Sequence, residues 1–315
     1  AVLLSLIKDL VIISGGPGTG KTFTIRKIIE ALYLRDKRTS FALATPTGKA
    51  AQRLNESLSV EELKFSINPA TTIHKLLQSN GTSGNFKYNE KNKLPFDVVI
   101  IDEASMLDIN LWIRLIRALS ENTRLILLGD KNQLASVEAG SILNDICSNS
   151  TNEFSKSLFS GFSSNKDSKN KVTPINDCII ELTKSYRFDK KSGIGIFSKL
   201  INSGQSEEVI NLLKSDSYPE ITFFHPSNEV IESMIQQFVI NPFLVDKKNG
   251  FTFKSFNRYQ ILCALRKGPF GVEQLNELAE KSLKKILKTS VSEEWYEGRP
   301  ILITRNSSLL KVRNG

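Results

Sequence analysis

Histidine and cysteine are scarce in this chain. Its 315 residues include two histidines, His74 and His225, and three cysteines, Cys147, Cys178 and Cys263. Two imidazoles cannot build a multi-histidine metal site. The cysteines lie far apart with no redox or zinc spacing, so free thiols in a reducing cytoplasm are expected. No apolar run approaches the roughly 20 residues that a membrane-spanning helix requires, and no membrane partner is expected. The apolar start, AVLLSLIKDLVII, runs directly into a strand-forming segment and reads as core rather than as a signal peptide. The sequence contains no internal repeat. Acidic residues are outnumbered, 33 Asp and Glu against 42 Lys and Arg, for a net charge of +9. That balance fits a polyanionic partner such as nucleic acid, but it equally fits a solvated basic surface, and charge alone does not decide between them. Hydrophobic content of 40% and charged content of 24% are those of an ordinary globular protein, and the length fits roughly two domains. The chain does not begin with Met and ends at LLKVRNG, which reads as a piece cut from a longer protein.

What is present is a complete phosphate-binding turn. Val11 to Thr22, VIISGGPGTGKT, is an apolar strand entering a glycine-rich turn and then a helix. Gly15, four residues (Gly16, Pro17, Gly18, Thr19), then Gly20, Lys21 and Thr22 match the P-loop pattern in full. Glycines allow successive backbone N–H groups to converge on an anion. Lys21 has the reach for the β- and γ-phosphates of ATP, and the Thr22 hydroxyl suits Mg²⁺. The dipole of the following helix adds positive potential.

The first half alternates strand and helix. Leu10 to Ile13, Ser40 to Ala44, Asp97 to Asp102 and Arg124 to Asp130 read as buried strands. Ile25, Ile28, Ile29 and Leu32 keep helical spacing, as do Ile109, Trp112, Leu115, Ile116 and Leu119. Strands apolar on both faces and separated by helices predict an α/β fold, a parallel sheet covered on both sides, with ligands at the carboxyl ends of its strands. Gly15, Asp102 and Asp130 fall at those ends. Residues 1–147 are expected to form this first domain. Residues 148–172, rich in Ser, Asn and Lys, read as a flexible insertion or linker. Residues 173–315 read as part of a second α/β unit, with a strand at Ile221 to Phe224, helices at Val230 to Val239, Tyr259 to Leu265 and Leu275 to Leu287, and a strand at Arg299 to Thr304. By pattern, 80–95 is either a loop or an inserted hairpin.

An apolar strand ending in a carboxylate is what a P-loop site needs to hold the Mg²⁺ shell, and Ile100, Ile101 and Asp102 supply it. Glu103 follows directly and is placed to polarise an attacking water. The competing reading of both acids is a helix start.

Six segments occur in order: GGPGTGKT, ATPTGKAA, TTIHKLL, IIDEASML, LLGDKNQLASVEAG and LTKSYRF. Together they resemble the successive motifs of superfamily 1 DNA helicases, and among these the RecD family, the alpha subunit of exodeoxyribonuclease V. SGIGIFSKLINSG, RYQILCALRKGPFGVEQLN and WYEGRPILITRN extend the resemblance along the chain. The resemblance implies RecA-like motor domains, one complete and one partial. It implies that Gln133 contacts the γ-phosphate and couples it to DNA, and that Arg187 reaches the γ-phosphate across a domain cleft. It places single-stranded DNA contacts at Thr45, Pro46, Thr47, Lys49, Thr72 and His74, and a hairpin pin at 80–95 that meets forked DNA. Without the resemblance, Gln133 reads as a solvent-facing loop residue, Arg187 as half of a surface ion pair and His74 as a half-buried helix residue. Trp295 and Tyr296 read as core.

By the same resemblance the parent protein is a 5′-to-3′ helicase that uses ATP and Mg²⁺, with the beta and gamma subunits of exodeoxyribonuclease V as partners in double-strand break repair and recombination. The segment that reads adenine would precede Ala1 and the second catalytic arginine would follow Gly315. Residues 1–315 are therefore expected to bind nucleotide but to hydrolyse it weakly and not to unwind DNA alone. Three alternatives stay open: a free-standing RecD-like or conjugation helicase, a P-loop small-molecule kinase, and a subunit that binds nucleotide without turnover. The kinase reading leaves ATPTGKAA and GDKNQL unexplained.

Overall fold

The computed structural model describes residues 1–58, 67–80, 85–134, 142–148, 150, 152–155, 158, 174–189, 191–215, 217–250, 255, 258–290, 293–297 and 299–301. The chain divides into two compact units, one within Ala1–Ile221 and one within Thr222–Leu302.

The first unit begins with α1 (Val2–Ile7), β1 (Leu10–Gly15), α2 (Lys21–Arg35), β2 (Phe41–Thr45) and α3 (Gly48–Leu58). It continues through β3 (Thr71–Thr72), α4 (Ile73–Leu76), β4 (Ser79–Asn80), β5 (Asn85–Phe86), β6 (Val98–Ile101), α5 (Ile109–Ala118), β7 (Arg124–Gly129), α6 (Ile142–Cys147) and β8 (Ile179–Leu182). The main sheet has six strands in the order β3-β2-β6-β7-β1-β8, and every pairing is parallel. Period-two alternation divides its side chains between two cores. Val11, Ile13, Leu43, Ile100, Ile126 and Leu128 pack with Ile25, Ile28, Ile29 and Leu32 of α2 on one face. Ile12, Ala44, Ile101 and Leu127 pack with Leu111, Trp112 and Leu115 of α5 on the other. The expected parallel sheet covered on both faces is therefore present. Burying each such side chain contributes about 1.5–3 kcal/mol, which makes the sheet a rigid base for the loops at its carboxyl edge. Asp97 fastens the opposite edge, its Oδ2 accepting from Ser40 N at 2.8 Å and Ser40 Oγ at 2.7 Å.

The structure moves the boundary expected near residue 173. β8 lies beyond that point, yet it pairs with β1 from Ile12↔Ile179 to Gly15↔Leu182 and completes the first sheet. Most of the Ser/Asn/Lys-rich stretch, 159–172, lies outside the described residues. Its start is anchored to the sheet edge: Asn152 Nδ2 donates to the Glu181 carbonyl at 3.0 Å and Asn152 Oδ1 accepts from Glu181 N at 2.6 Å. One side-chain amide thus imitates a neighbouring strand on β8. Asp177 likewise accepts from Ser155 N and Oγ at 2.7 and 2.5 Å. Composition reports solvation, and it carries no signal for such pairing.

α7 (Gly193–Asn202) and α8 (Ser206–Lys214) follow in the first unit. The second unit has α9 (Asn228–Ile235), a π-helical turn (Gln236–Ile240), α10 (Asn241–Lys248) and α11 (Val272–Leu287), packed around Ile231, Ile235, Ile240, Phe243 and Leu283. Ile221 to Phe224 forms no strand, nor do the described residues 299–301, and Tyr259 to Leu265 is not helical. Residues 302–304 lie outside the described residues. Apolar runs this short do not distinguish strand from coil. Trp295, expected in the core, is 65% exposed, with the Arg299 guanidinium 5.0 Å from its ring centroid.

Candidate functional site: a phosphate loop tied to its neighbours

β1 ends at Gly15, and the loop that follows is closely packed. A Cβ at Gly15 would lie 2.6 Å from Thr19 Oγ1 and 3.0 Å from Leu182 Cβ of β8. Gly18 and Gly20 have φ of 72° and 86°, the left-handed region that glycine reaches without a Cβ clash. Thr19 Oγ1 donates to the Gly16 carbonyl at 2.8 Å and tightens the turn. Gly20 caps the 15-residue α2, whose first-turn N–H groups open towards the loop. Lys21 is the first helical residue, and its ammonium donates to the carbonyls of Gly15 at 2.6 Å and Gly16 at 3.2 Å. The ammonium is thus held against the carbonyls of its own loop.

Asp102 continues β6, its N–H donating to the Ala44 carbonyl at 3.0 Å. Its Oδ1 accepts from Glu103 N at 2.9 Å. Burial, and then the negative charge of Glu103, pushes the Asp102 carboxyl from 3.8 up to about 6, against the pull of the Glu103 N–H and the Lys21 ammonium. Glu103 has a left-handed backbone, φ 55° and ψ 37°, a conformation that costs on the order of 1–3 kcal/mol in a non-glycine residue. Its Oε2 is buried and has no hydrogen-bond partner among the described residues. Glu103 thus combines a left-handed backbone with an unsatisfied carboxylate oxygen beside the loop.

The donor set fits Mg²⁺. No cluster of three or more His, Cys, Asp or Glu suited to a metal occurs among the described residues. Mg²⁺ does not need one, because it keeps waters and shares nucleotide phosphates with one or two protein oxygens. Asp102 and the Thr22 hydroxyl would be those oxygens, and a buried carboxylate raised to about 6 would gain from a cation. A prediction follows from the sign of that shift. A folded-state value above the unfolded one means the charged form destabilises the fold, with no penalty below the ordinary value of 3.8 and the full penalty above about 6. Asp102→Asn keeps the bond from Glu103 N, so the nucleotide-free variant is expected to gain about 1–3 kcal/mol at pH 7.5 and nothing at pH 3.5. Urea melts at the two pH values measure this.

Two further strand ends close in on the loop. Beyond β7, Asp130 Oδ1 accepts from Asn132 N at 3.0 Å and the Asp130 carbonyl accepts from Gln133 N at 3.1 Å, forming a tight turn. Lys131 joins this turn to β1 and β8 through its N–H to Ser14 Oγ at 3.3 Å and its Nζ to Glu181 Oε2 at 2.8 Å. Gln133 is exposed, and its Oε1 accepts from Ser105 Oγ at 3.2 Å. Beyond β8, Ser185 Oγ donates to the Pro17 carbonyl at 3.1 Å and Tyr186 N to the Gly18 carbonyl at 2.8 Å. A Cβ at Gly18 would fall 2.3 Å from Arg187 Cβ.

Residues 1–139 match the family model described as an AAA domain. Over its whole length the chain is 36% identical to the RecBCD enzyme subunit RecD of Buchnera aphidicola subsp. Schizaphis graminum, covering 57% of that protein. It is 40% identical to the RecD subunit of Buchnera aphidicola subsp. Acyrthosiphon pisum and 34% identical to that of Haemophilus influenzae, covering 57% and 56% of them. This chain belongs to the RecD family. It spans somewhat more than half the length of these curated relatives. The ATP-dependent RecD2 DNA helicase of Deinococcus radiodurans is 38% identical over 134 residues, 42% of this chain and 17% of that one. Among solved structures, unliganded Pif1 from Bacteroides aligns over 75% of this chain and 50% of its own, at 18% identity and a TM-score of 0.42.

In this RecD-family chain Arg187 does not sit across a domain cleft from the phosphate loop. It belongs to the same compact unit and lies against Gly18 itself. Its side chain is exposed, and among the described residues it has no ion-pair partner, so the surface ion-pair reading finds no support. Thr45 is fully buried, and its hydroxyl donates to the Thr47 carbonyl at 2.8 Å, so it shapes the loop beyond β2 rather than facing solvent. Thr47 is exposed and its Oγ1 accepts from Ala50 N at 3.3 Å at the start of α3. Pro46 is half-buried and Lys49 is exposed beside them. Thr72 caps α4, its Oγ1 accepting from Lys75 N at 3.2 Å. His74, read from the residues alone as half-buried, is exposed, its ring 6.0 Å from that of Phe86. Phe86 belongs to the antiparallel pair β4–β5, so the 80–95 stretch does contain a short hairpin, whose tip at 81–84 is outside the described residues. Sequence reasoning passed over Ser105, Lys131, Glu181, Ser185 and Tyr186. Serines and ion pairs carry no pattern of their own, and only their adjacency to recognised segments pointed to them.

Proposed function

We propose that this chain is the ATP-handling part of a DNA motor, a 5′-to-3′ helicase and translocase subunit of exodeoxyribonuclease V. It would work with the beta and gamma subunits on single-stranded and forked DNA in double-strand break repair and recombination, in the bacterial cytoplasm. One observation carries the reading. The strand ends bearing Gln133 and Arg187 are hydrogen-bonded, directly or through one neighbour, to the phosphate loop and the Asp102–Glu103 turn. A subunit that merely held nucleotide would need the loop alone, whereas coupling requires that nucleotide state reach other strand ends.

In this reading Lys21 and the α2 N-terminus neutralise the β- and γ-phosphates. Thr22 and Asp102 would hold Mg²⁺, which shields phosphate charge when bound with ATP. Glu103 accepts a proton from the water that attacks the γ-phosphate, through the oxygen left unpartnered in the fold. Arg187 neutralises charge on the transferred group, and Gln133 donates its amide N–H to the γ-phosphate. Pro46, Thr47, Lys49, Thr72 and His74 lie on the loops and short helices beyond β2 and β3. Hydroxyls, backbone N–H groups and a lysine there suit phosphate contacts along one strand.

Duplexes with a single-stranded tail of one polarity test the directional claim on the full-length protein. Unwinding of 5′-tailed but not 3′-tailed substrate is expected, with ATP required. Preference for 3′ tails would overturn the assigned direction.

A further inference from the structure

Ser105 lies on the turn that follows Glu103, between β6 and α5, and none of the recognised roles uses it. It is 9% exposed, and its backbone N–H lies 3.0 Å from where a Cβ on Gly129 would stand, so the turn is packed against the end of β7. From there its hydroxyl donates to Oε1 of Gln133 at 3.2 Å. A primary amide has two ends of opposite character, an acceptor oxygen and a donor NH₂. An anionic phosphate can be met only by the donor end. With the hydroxyl on the oxygen, the donor end is the one that points away, and among the described residues the Gln133 Nε2 is left without a partner.

We propose that Ser105 is a positioning residue for Gln133: it holds the side-chain oxygen so that the NH₂ is presented to the γ-phosphate. The inference rests on the γ-phosphate role proposed above for Gln133. It adds that the Glu103 turn and the Gln133 turn respond as one piece, because a single hydrogen bond joins the residue after next from the water-activating carboxylate to the group that senses the phosphate. A free glutamine on an exposed turn samples both amide orientations, and half of them aim an oxygen at the anion. The bond to Ser105 holds the side chain in the orientation with the oxygen inward and narrows its rotamers.

The test compares ATPγS and ADP affinities in the full-length protein, because only the first ligand has a γ-phosphate. Gln133→Ala serves as the reference. Ser105→Ala is expected to weaken ATPγS by about three- to tenfold, the size of one lost hydrogen bond, while ADP affinity stays unchanged. Ser105→Thr, which keeps the hydroxyl, should restore the wild-type ratio. The double variant should be no weaker for ATPγS than Gln133→Ala alone. A general packing defect would instead weaken both ligands together, and that result would overturn the inference. So would an unchanged ratio in Ser105→Ala while Gln133→Ala lowers it, which leaves the role of Gln133 standing. An unchanged ratio in Gln133→Ala itself overturns both.

Discussion

Replacing Arg187 with Ala is expected to slow ATP turnover by about 10³–10⁵-fold, the range over which an arginine that stabilises transferring phosphate acts. The structure sharpens the reason. Arg187 follows Tyr186, whose N–H holds the Gly18 carbonyl at 2.8 Å, and its Cβ lies where a Gly18 side chain would have to go. The guanidinium therefore starts from a backbone fixed to the phosphate loop, and its position depends little on how the second unit is placed. Little of the loss should appear in stability, since the side chain is exposed and exposed substitutions usually shift stability by no more than about 0.5 kcal/mol. Nucleotide affinity should change far less than turnover, because charge on the transferred group develops mainly in the transition state. Gly18→Ala is a second route to the same result. It adds a Cβ at 2.3 Å from Arg187 Cβ on a backbone with φ of +72°, so one of the two must move. Turnover measured beside urea melts separates these outcomes: loss of activity with unchanged melting supports the role, and full activity in Arg187→Ala removes it.

Lys21→Ala is expected to lower turnover by about 10²–10³-fold, because it removes a preorganised cation from the phosphates. Lys21 also donates to the Gly15 and Gly16 carbonyls at 2.6 and 3.2 Å. Losing those bonds should cost the fold about 1–3 kcal/mol, because Gly15 is buried and its carbonyl loses a charged donor. Lys21 also helps to hold Asp102 ionised, so its loss should push the Asp102 carboxyl higher still. The inactivity of Lys21→Ala should thus deepen as pH falls from 8 to 6, whereas Lys21→Arg should show a weaker pH dependence. Turnover across that range is the measurement, and a flat profile would disconnect the two residues.

Much of the first unit was legible because parallel strands covered on both faces write continuous apolar runs. Val98–Ile101 and Leu125–Leu128 are two such runs, each followed within two residues by an acid, and the P-loop pattern at Gly15–Thr22 fixes one strand end by chemistry. β8 was harder. DCIIEL carries Glu181 within its run, and nothing local says that it pairs with β1 rather than opening a new sheet. The placement of Arg187 failed for the same reason, since the side of a boundary on which SYRF falls depends on strand order. In the second unit, short apolar runs such as ITFF at 221–224 lack flanking turn chemistry, and coil was the outcome. The small polar contacts that join the site, Ser105 with Gln133 and Lys131 with Glu181, are invisible to pattern because serine and lysine are common everywhere. They became visible only when the fold brought their strand ends together.

The central claim is that nucleotide turnover at this loop is coupled to single-stranded DNA. ATP hydrolysis by the full-length protein, measured with and without a single-stranded oligonucleotide at fixed salt, tests it most directly. The account predicts stimulation of about tenfold or more, lost in Gln133→Ala even at ATP concentrations that saturate the variant. Turnover that does not respond to DNA would contradict it.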